Sequence, residues 1–142
     1  MKRTFSTIAD MQSYIQSACK KAIADTTQTV ADKLRECINE QYYNDPEFTP
    51  EFYHRTEAFL NSVAQKMLSS NSSVVYIDTV VMHYRNNFNP RQVVSWAAES
   101  KHGAANLQTD TQDFWASFIE WCDNNLVSLL RQNLRKYGLN IK

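Results

Sequence analysis

Glycine is almost missing from this chain: Gly103 and Gly138 are the two among 142 residues. Phosphate-cradling loops need several glycines, because their backbones enter left-handed conformations that a Cβ disfavours. A nucleotide-binding loop is therefore excluded, and mostly helical structure is expected. The three cysteines show no C-x-x-C spacing, which excludes a disulfide framework and a Cys-ligated zinc site. Cys19 and Cys37 fall on one expected helix, about 27 Å apart along its axis and far beyond disulfide reach. Fifteen basic and fifteen acidic side chains cancel, so no global field draws a polyanion. No apolar run approaches the ~20 residues that span a bilayer. The opening MKRTFSTIAD lacks the apolar stretch of a secretion signal. A reducing cytoplasm is the expected setting, with no membrane partner.

Helical periodicity is what the chain does have. Ile8, Met11, Ile15, Ala18, Ala22, Val30, Leu34 and Cys37 recur at three and four, which predicts one long helix over about 7–43 with a single buried stripe. Ser6 or Thr7 can cap it, and Thr26, Thr27 and Thr29 weaken its middle enough to allow a bend. Pro46 and Pro50 end it and open a crossing segment, with a helical turn near 51–60. Alternation through Val75, Ile77, Thr79 and Val81 predicts a hairpin at about 62–68 and 74–84. Asn89-Pro90 starts a short helix to about Glu99, and SKHGAANLQ reads as a loop, so that short helix and loop fill about 89–108. A last helix over about 109–137 has Thr109 and Gln112 as a capping box. Phe114, Phe118, Trp121, Cys122, Leu126, Leu129, Leu130 and Leu134 are its apolar side, and Gly138 is its stop. The fold class expected is α+β in one domain over 1–142: long helices at both ends and a small antiparallel sheet, with short helices, between them.

Catalytic patterns are sought without success. Ser17 to Lys20 matches S-x-x-K formally, but mid-helix and without its companion elements. The cysteines lie on apolar helix faces, where a thiol is inert. His54, His83 and His102 lack metal-ligand spacing, and Asp110 with Asp113 belongs to a helix start. No enzyme, cofactor or metal is expected. The aromatics Tyr42, Tyr43, Phe48, Phe52, Tyr53 and Phe59 sit among acids, unlike the basic neighbours of a base-stacking platform. A patch of His83, Arg85, Arg91, Lys101 and His102 offers at most non-specific contact with DNA, which titration with duplex at low and near-physiological salt would test.

Several short motifs nonetheless occur in a telling order. Paired tyrosines close the first helix, then come Tyr53, Arg55, Thr56, Leu60 and Ser62, a His102-Gly103 dipeptide, and a final amphipathic helix closing at Gly138, Leu139, Asn140 and Ile141. This order resembles the neck or tail-completion proteins of tailed bacteriophages, the head–tail joining and minor capsid components. The resemblance implies a non-catalytic, ring-forming virion protein at the junction of capsid connector and tail, made in the host cytoplasm. Its implied partners are further copies of itself and the neighbouring connector and tail proteins. Within that reading Arg55 suits carbonyl or carboxylate binding where the chain enters the sheet, with Glu51 or Glu57 as acceptor, and Thr56 bridges locally.

A ring joins two different patches around an axis. Acidic Glu36, Glu40, Glu47 and Glu51 and basic Arg131, Arg135 and Lys136 are the expected contact residues. The rival reading is a small helical adaptor, dimeric through its first helix.

Overall fold

The computed structural model describes residues 3–49, 57–84, 88–102 and 107–141. Glu51, Tyr53, Arg55, Thr56 and Gly103 lie outside the described residues, as does most of the helical turn expected at 51–60. The fold is α+β, as the sequence implies. Helix α1 (Ile8–Ile38) runs straight into a π-helical turn, Asn39–Tyr43. After the crossing segment a 3-10 turn, Leu60–Ser62, leads into β1 (Val63–Ser69) and β2 (Ser72–Ile77). Helix α2 (Pro90–Ala97), the short strands β3 (Lys101–His102) and β4 (Leu107–Gln108), and helix α3 (Phe114–Lys136) complete the chain.

The local chemistry of α1 follows its sequence. The Thr7 hydroxyl accepts from the Asp10 amide at 3.1 Å and so caps the first turn. Thr26, Thr27 and Thr29 return their hydroxyls to the carbonyls of Ala22, Ile23 and Asp25, and the helix is continuous through them. That satisfies the hydroxyls without breaking the ladder. Thr26 and Thr27 also reach outward. Asn133 of α3 donates to Thr26 Oγ1 at 2.9 Å, and Ser73 of β2 meets Thr27 Oγ1. The weak middle of the helix thus carries polar ties to both α3 and β2.

Three expectations need correction. The second strand stops at Ile77 and not near 84, because the Asp78 side chain accepts from the Val80 amide at 3.0 Å and turns the chain. The segment expected as a loop over 100–108 carries a miniature hairpin, with Lys101 opposite Gln108 and His102 opposite Leu107. The last helix begins at Phe114, not near Thr109. Asp113 is its cap, accepting from the Ala116 amide at 2.7 Å, and the Thr109 hydroxyl is engaged elsewhere.

Helices α1 and α3 form the largest contact in the fold and run antiparallel. Tyr14 donates to the Tyr137 carbonyl at 2.8 Å near one end. At the other end Leu34 and Ile38 share a core with Phe59, Phe114 and Phe118, joined by Val63, Met82 and Ala97. The hairpin lays its Val75 and Ile77 face against this cluster and leaves Leu68, Val74 and Tyr76 on its outer face exposed. The core is lopsided, because it occupies the C-terminal half of α1 and the N-terminal half of α3.

Gly138 ends α3 at φ +86°. Its amide bonds to the Arg135 carbonyl at 2.9 Å and the next amide, of Leu139, to that of Leu134 at 3.0 Å, the paired closure of a Schellman motif. A Cβ at Gly138 would lie 2.3 Å from the Tyr14 hydroxyl, on top of the left-handed backbone cost. Gly138→Ala is expected to lower stability by roughly 1–2 kcal/mol, read as a fall in melting temperature. Phe substituted for Tyr14 in the same background should then cost almost nothing more, because the bond it removes is already broken.

Candidate functional site

Two features stand out, one buried and one exposed. The buried one is built on Asp45, just past the π-helical turn. Its Oδ2 accepts from Thr109 Oγ1 at 2.6 Å and from His102 Nε2 at 2.8 Å. Its Oδ1 accepts from Thr111 Oγ1 at 2.6 Å and from the Glu47 amide at 2.9 Å. Both the Asp45 and the His102 side chains have 0% exposure. The His102 ring lies between Tyr42, stacked at 4.8 Å and 7°, and Phe48, stacked at 4.1 Å and 9°.

Burial by itself would push the Asp45 carboxyl up. The hydrogen bonds from Thr109, Thr111, the Glu47 amide and His102 outweigh it and hold the group at about 2. An ionised carboxylate only accepts, so the proton facing it sits on His102 Nε2. The arrangement ties together the end of the first helix, the β3–β4 hairpin and the approach to α3. Both carboxylate oxygens of Asp45 are engaged by these donors, and the His102 ring is held between two aromatic rings. Its chemistry is that of an internal clamp.

Thiol chemistry finds no support at the neighbouring cysteines. Burial raises both Cys37 and Cys122, keeping them protonated. Among the described residues no group of three His, Cys, Asp or Glu side chains is placed to hold a metal ion. Among the same residues no helix is long and apolar enough to cross a membrane.

The residues singled out in the sequence separate into distinct places. His102 belongs to the clamp. Leu60 and Ser62 brace the entry to β1: the Leu60 amide points at Tyr43 Oη, and the Ser62 hydroxyl donates to the Phe59 carbonyl at 2.6 Å. The Ser62 carbonyl accepts from the Asp78 amide at 2.8 Å. Of the charged residues expected at contacts, Glu36 pairs with Lys33 at 3.0 Å and Glu47 accepts from the Asp110 amide at 2.7 Å. Arg135 donates to the Ile141 carbonyl at 3.1 Å. Lys136 meets Asp25 at 2.7 Å, and Tyr137 Oη donates to the same carboxylate at 2.7 Å. Those two bonds lower Asp25, that of Lys136 most. Glu40 and Arg131 are exposed.

Sequence reasoning missed Asp45 as a centre. It reads as one acid in an acidic block, and its partners lie 57, 64 and 66 residues away. No local spacing encodes such a set.

The exposed feature is apolar surface on both long helices. On α1, Ile8 (72% exposed), Met11 and Ile15 stand open with Phe5 before them, although their spacing continues the buried stripe. Helix α3 ends beside the middle of α1, so the first turns of α1 overhang it. There the two helices and the C-terminal turn enclose an open groove of ≈ 800 Å³ whose lining includes Phe5, Met11, Ile15, Arg3, Lys21 and Leu139. On α3, Phe114 and Phe118 face the core, while Trp115, Ile119, Leu126 and Val127 (68% exposed) face solvent. The apolar side of α3 assigned from sequence is therefore buried at its N-terminal end and partly open beyond, with Leu126 exposed.

A search of curated proteins and a search of solved structures each return no match. A family model described as YomN matches residues 7–136, a span that takes in both long helices, the hairpins and the Asp45 clamp. With nearly its whole length matched, the chain belongs to the YomN family and is a phage-associated protein.

Proposed function

We propose that this phage-associated chain is a structural virion protein: a ring-forming neck or tail-completion component that joins the capsid connector to the tail and carries out no catalysis. One observation carries the reading. Two different apolar faces, at Ile8–Met11–Ile15 and at Trp115–Ile119–Leu126, stay exposed at opposite ends of one antiparallel helix pair. Apolar groups of that size gain free energy when covered, roughly 1.5–3 kcal/mol for each large side chain fully buried. Two unlike patches on one chain make a head-to-tail contact, which closes into a ring when the rotation allows. An adaptor dimerising through its first helix would use one patch twice and leave α3 uncovered.

The buried polar chemistry agrees with such a role, since Asp45 and His102 hold backbone segments together and do not line the groove at Phe5, Met11 and Ile15. The partners proposed are further copies of the chain and the connector and tail proteins on either side, with the assembled virion as its location. Sedimentation of the purified chain with imaging of the product tests this. A discrete closed ring at high concentration is the expected result; a stable dimer at every concentration would favour the adaptor.

A further inference from the structure

We infer that neighbouring subunits meet with the outer face of α3 on one copy seated in the Phe5–Met11–Ile15 groove of the next. The inference rests on the ring reading and names the two surfaces that would form it. The occupant is a second copy of this chain because the two faces are complementary in charge as well as apolar. Residues 3–24, which supply most of the groove, hold Arg3, Lys20 and Lys21 against the single acid Asp10. Residues 107–130, which supply the α3 face, hold Asp110, Asp113, Glu120 and Asp123 and no base.

Placement supports the match. Arg3 lies over the Tyr14 ring at 4.4 Å and Lys21 stands 6.0 Å from the Tyr137 ring centre, so both cations sit on the groove rim. Glu120 and Asp123 are exposed beside Ile119 and Leu126. Lys136 already holds Asp25 and Arg135 the Ile141 carbonyl, which moves the basic side of the contact from the C-terminal tail to the start of the chain. The two faces lie roughly 40 Å apart along α1 at the standard helical rise. That distance lets one copy offer its α3 face while its own groove is filled, the condition for continuing around a ring.

Two variants test the assignment. R3E/K21E reverses the groove rim and E120K/D123K reverses the α3 face; all four side chains are exposed. Each variant alone should raise the concentration needed for half-assembly at least tenfold, because like charges then oppose one another. An equimolar mixture should associate again, with the two variants alternating in closed or open assemblies, since each altered face finds its complement on the other variant and each unaltered face does so too. Wild-type rings that persist in both variants would overturn the face assignment and leave the ring reading standing. Failure of the mixture to recover, or a wild-type chain that is monomeric at every concentration, would overturn the assignment as well. Absence of the chain from phage particles would strike at the ring reading itself.

Discussion

Asp45→Ala should destabilise the fold by about 3–5 kcal/mol, the scale of removing one partner from a buried, hydrogen-bonded charge network. The change strips the acceptor from four donors at once: Thr109, Thr111, His102 and the Glu47 amide. The His102 side chain has no exposure and loses its acceptor away from water, whereas Thr109 and Thr111 are half-buried. Urea unfolding of the two chains measures it as a lower midpoint at unchanged slope. Asp45→Asn should cost less but still substantially, because an amide nitrogen cannot accept from the hydroxyl facing it.

The same residue sets an acid response whose sign follows from its position at about 2, against an ordinary value of 3.8. A depressed carboxyl contributes its stabilisation in full above the unfolded value and loses it as the pH falls through the folded one. The contribution, about 2 kcal/mol, is therefore present above roughly pH 4 and disappears toward pH 2. Stability measured between pH 5 and pH 2 should fall more steeply in the wild type than in Asp45→Asn. Parallel curves would show that the carboxyl is not held ionised by its partners.

Phe59→Ala is expected to cost about 3–5 kcal/mol, the range for removing a large aromatic side chain from a packed core. Phe59 is 1% exposed. Its ring meets Tyr42 edge-on at 5.6 Å and Phe114 edge-on at 5.2 Å, so it joins the end of the first helix to the start of α3. Its backbone is held separately, since the Phe59 carbonyl accepts from both the Ser62 hydroxyl and the Ser62 amide. The loss is then one of packing, and Phe59→Leu should recover most of it, leaving a deficit of roughly 1 kcal/mol. Equal destabilisation by Ala and Leu would point to an aromatic contact stronger than simple filling of space.

Much of the fold was legible because its signals are local. The three-and-four spacing from Ile8 to Cys37, the Thr7 cap, Asn89-Pro90 and the Gly138 stop each act within a turn of helix. The errors share an opposite cause. Thr109 resembles a helix cap until its hydroxyl is claimed by Asp45, 64 residues away. Strands of two residues, as in β3 and β4, are too short for alternation to show. Asp78 ends β2 although apolar alternation continues past it. Periodicity reports which side of a helix is apolar and says nothing of what covers it. Ile8, Met11 and Ile15 therefore read as core, yet within a single chain they are open. The candidate contact surface depends on the lengths and offset of α1 and α3, which no local pattern encodes.

That open surface makes the phage particle the decisive place to look. The proposed role predicts that a cryo-EM map of the phage particle shows a ring at the head–tail junction whose repeating unit fits the α1–α3 pair, with the exposed apolar faces of both helices covered. Purified particles with no trace of this polypeptide, by mass spectrometry and by density alike, would contradict the account.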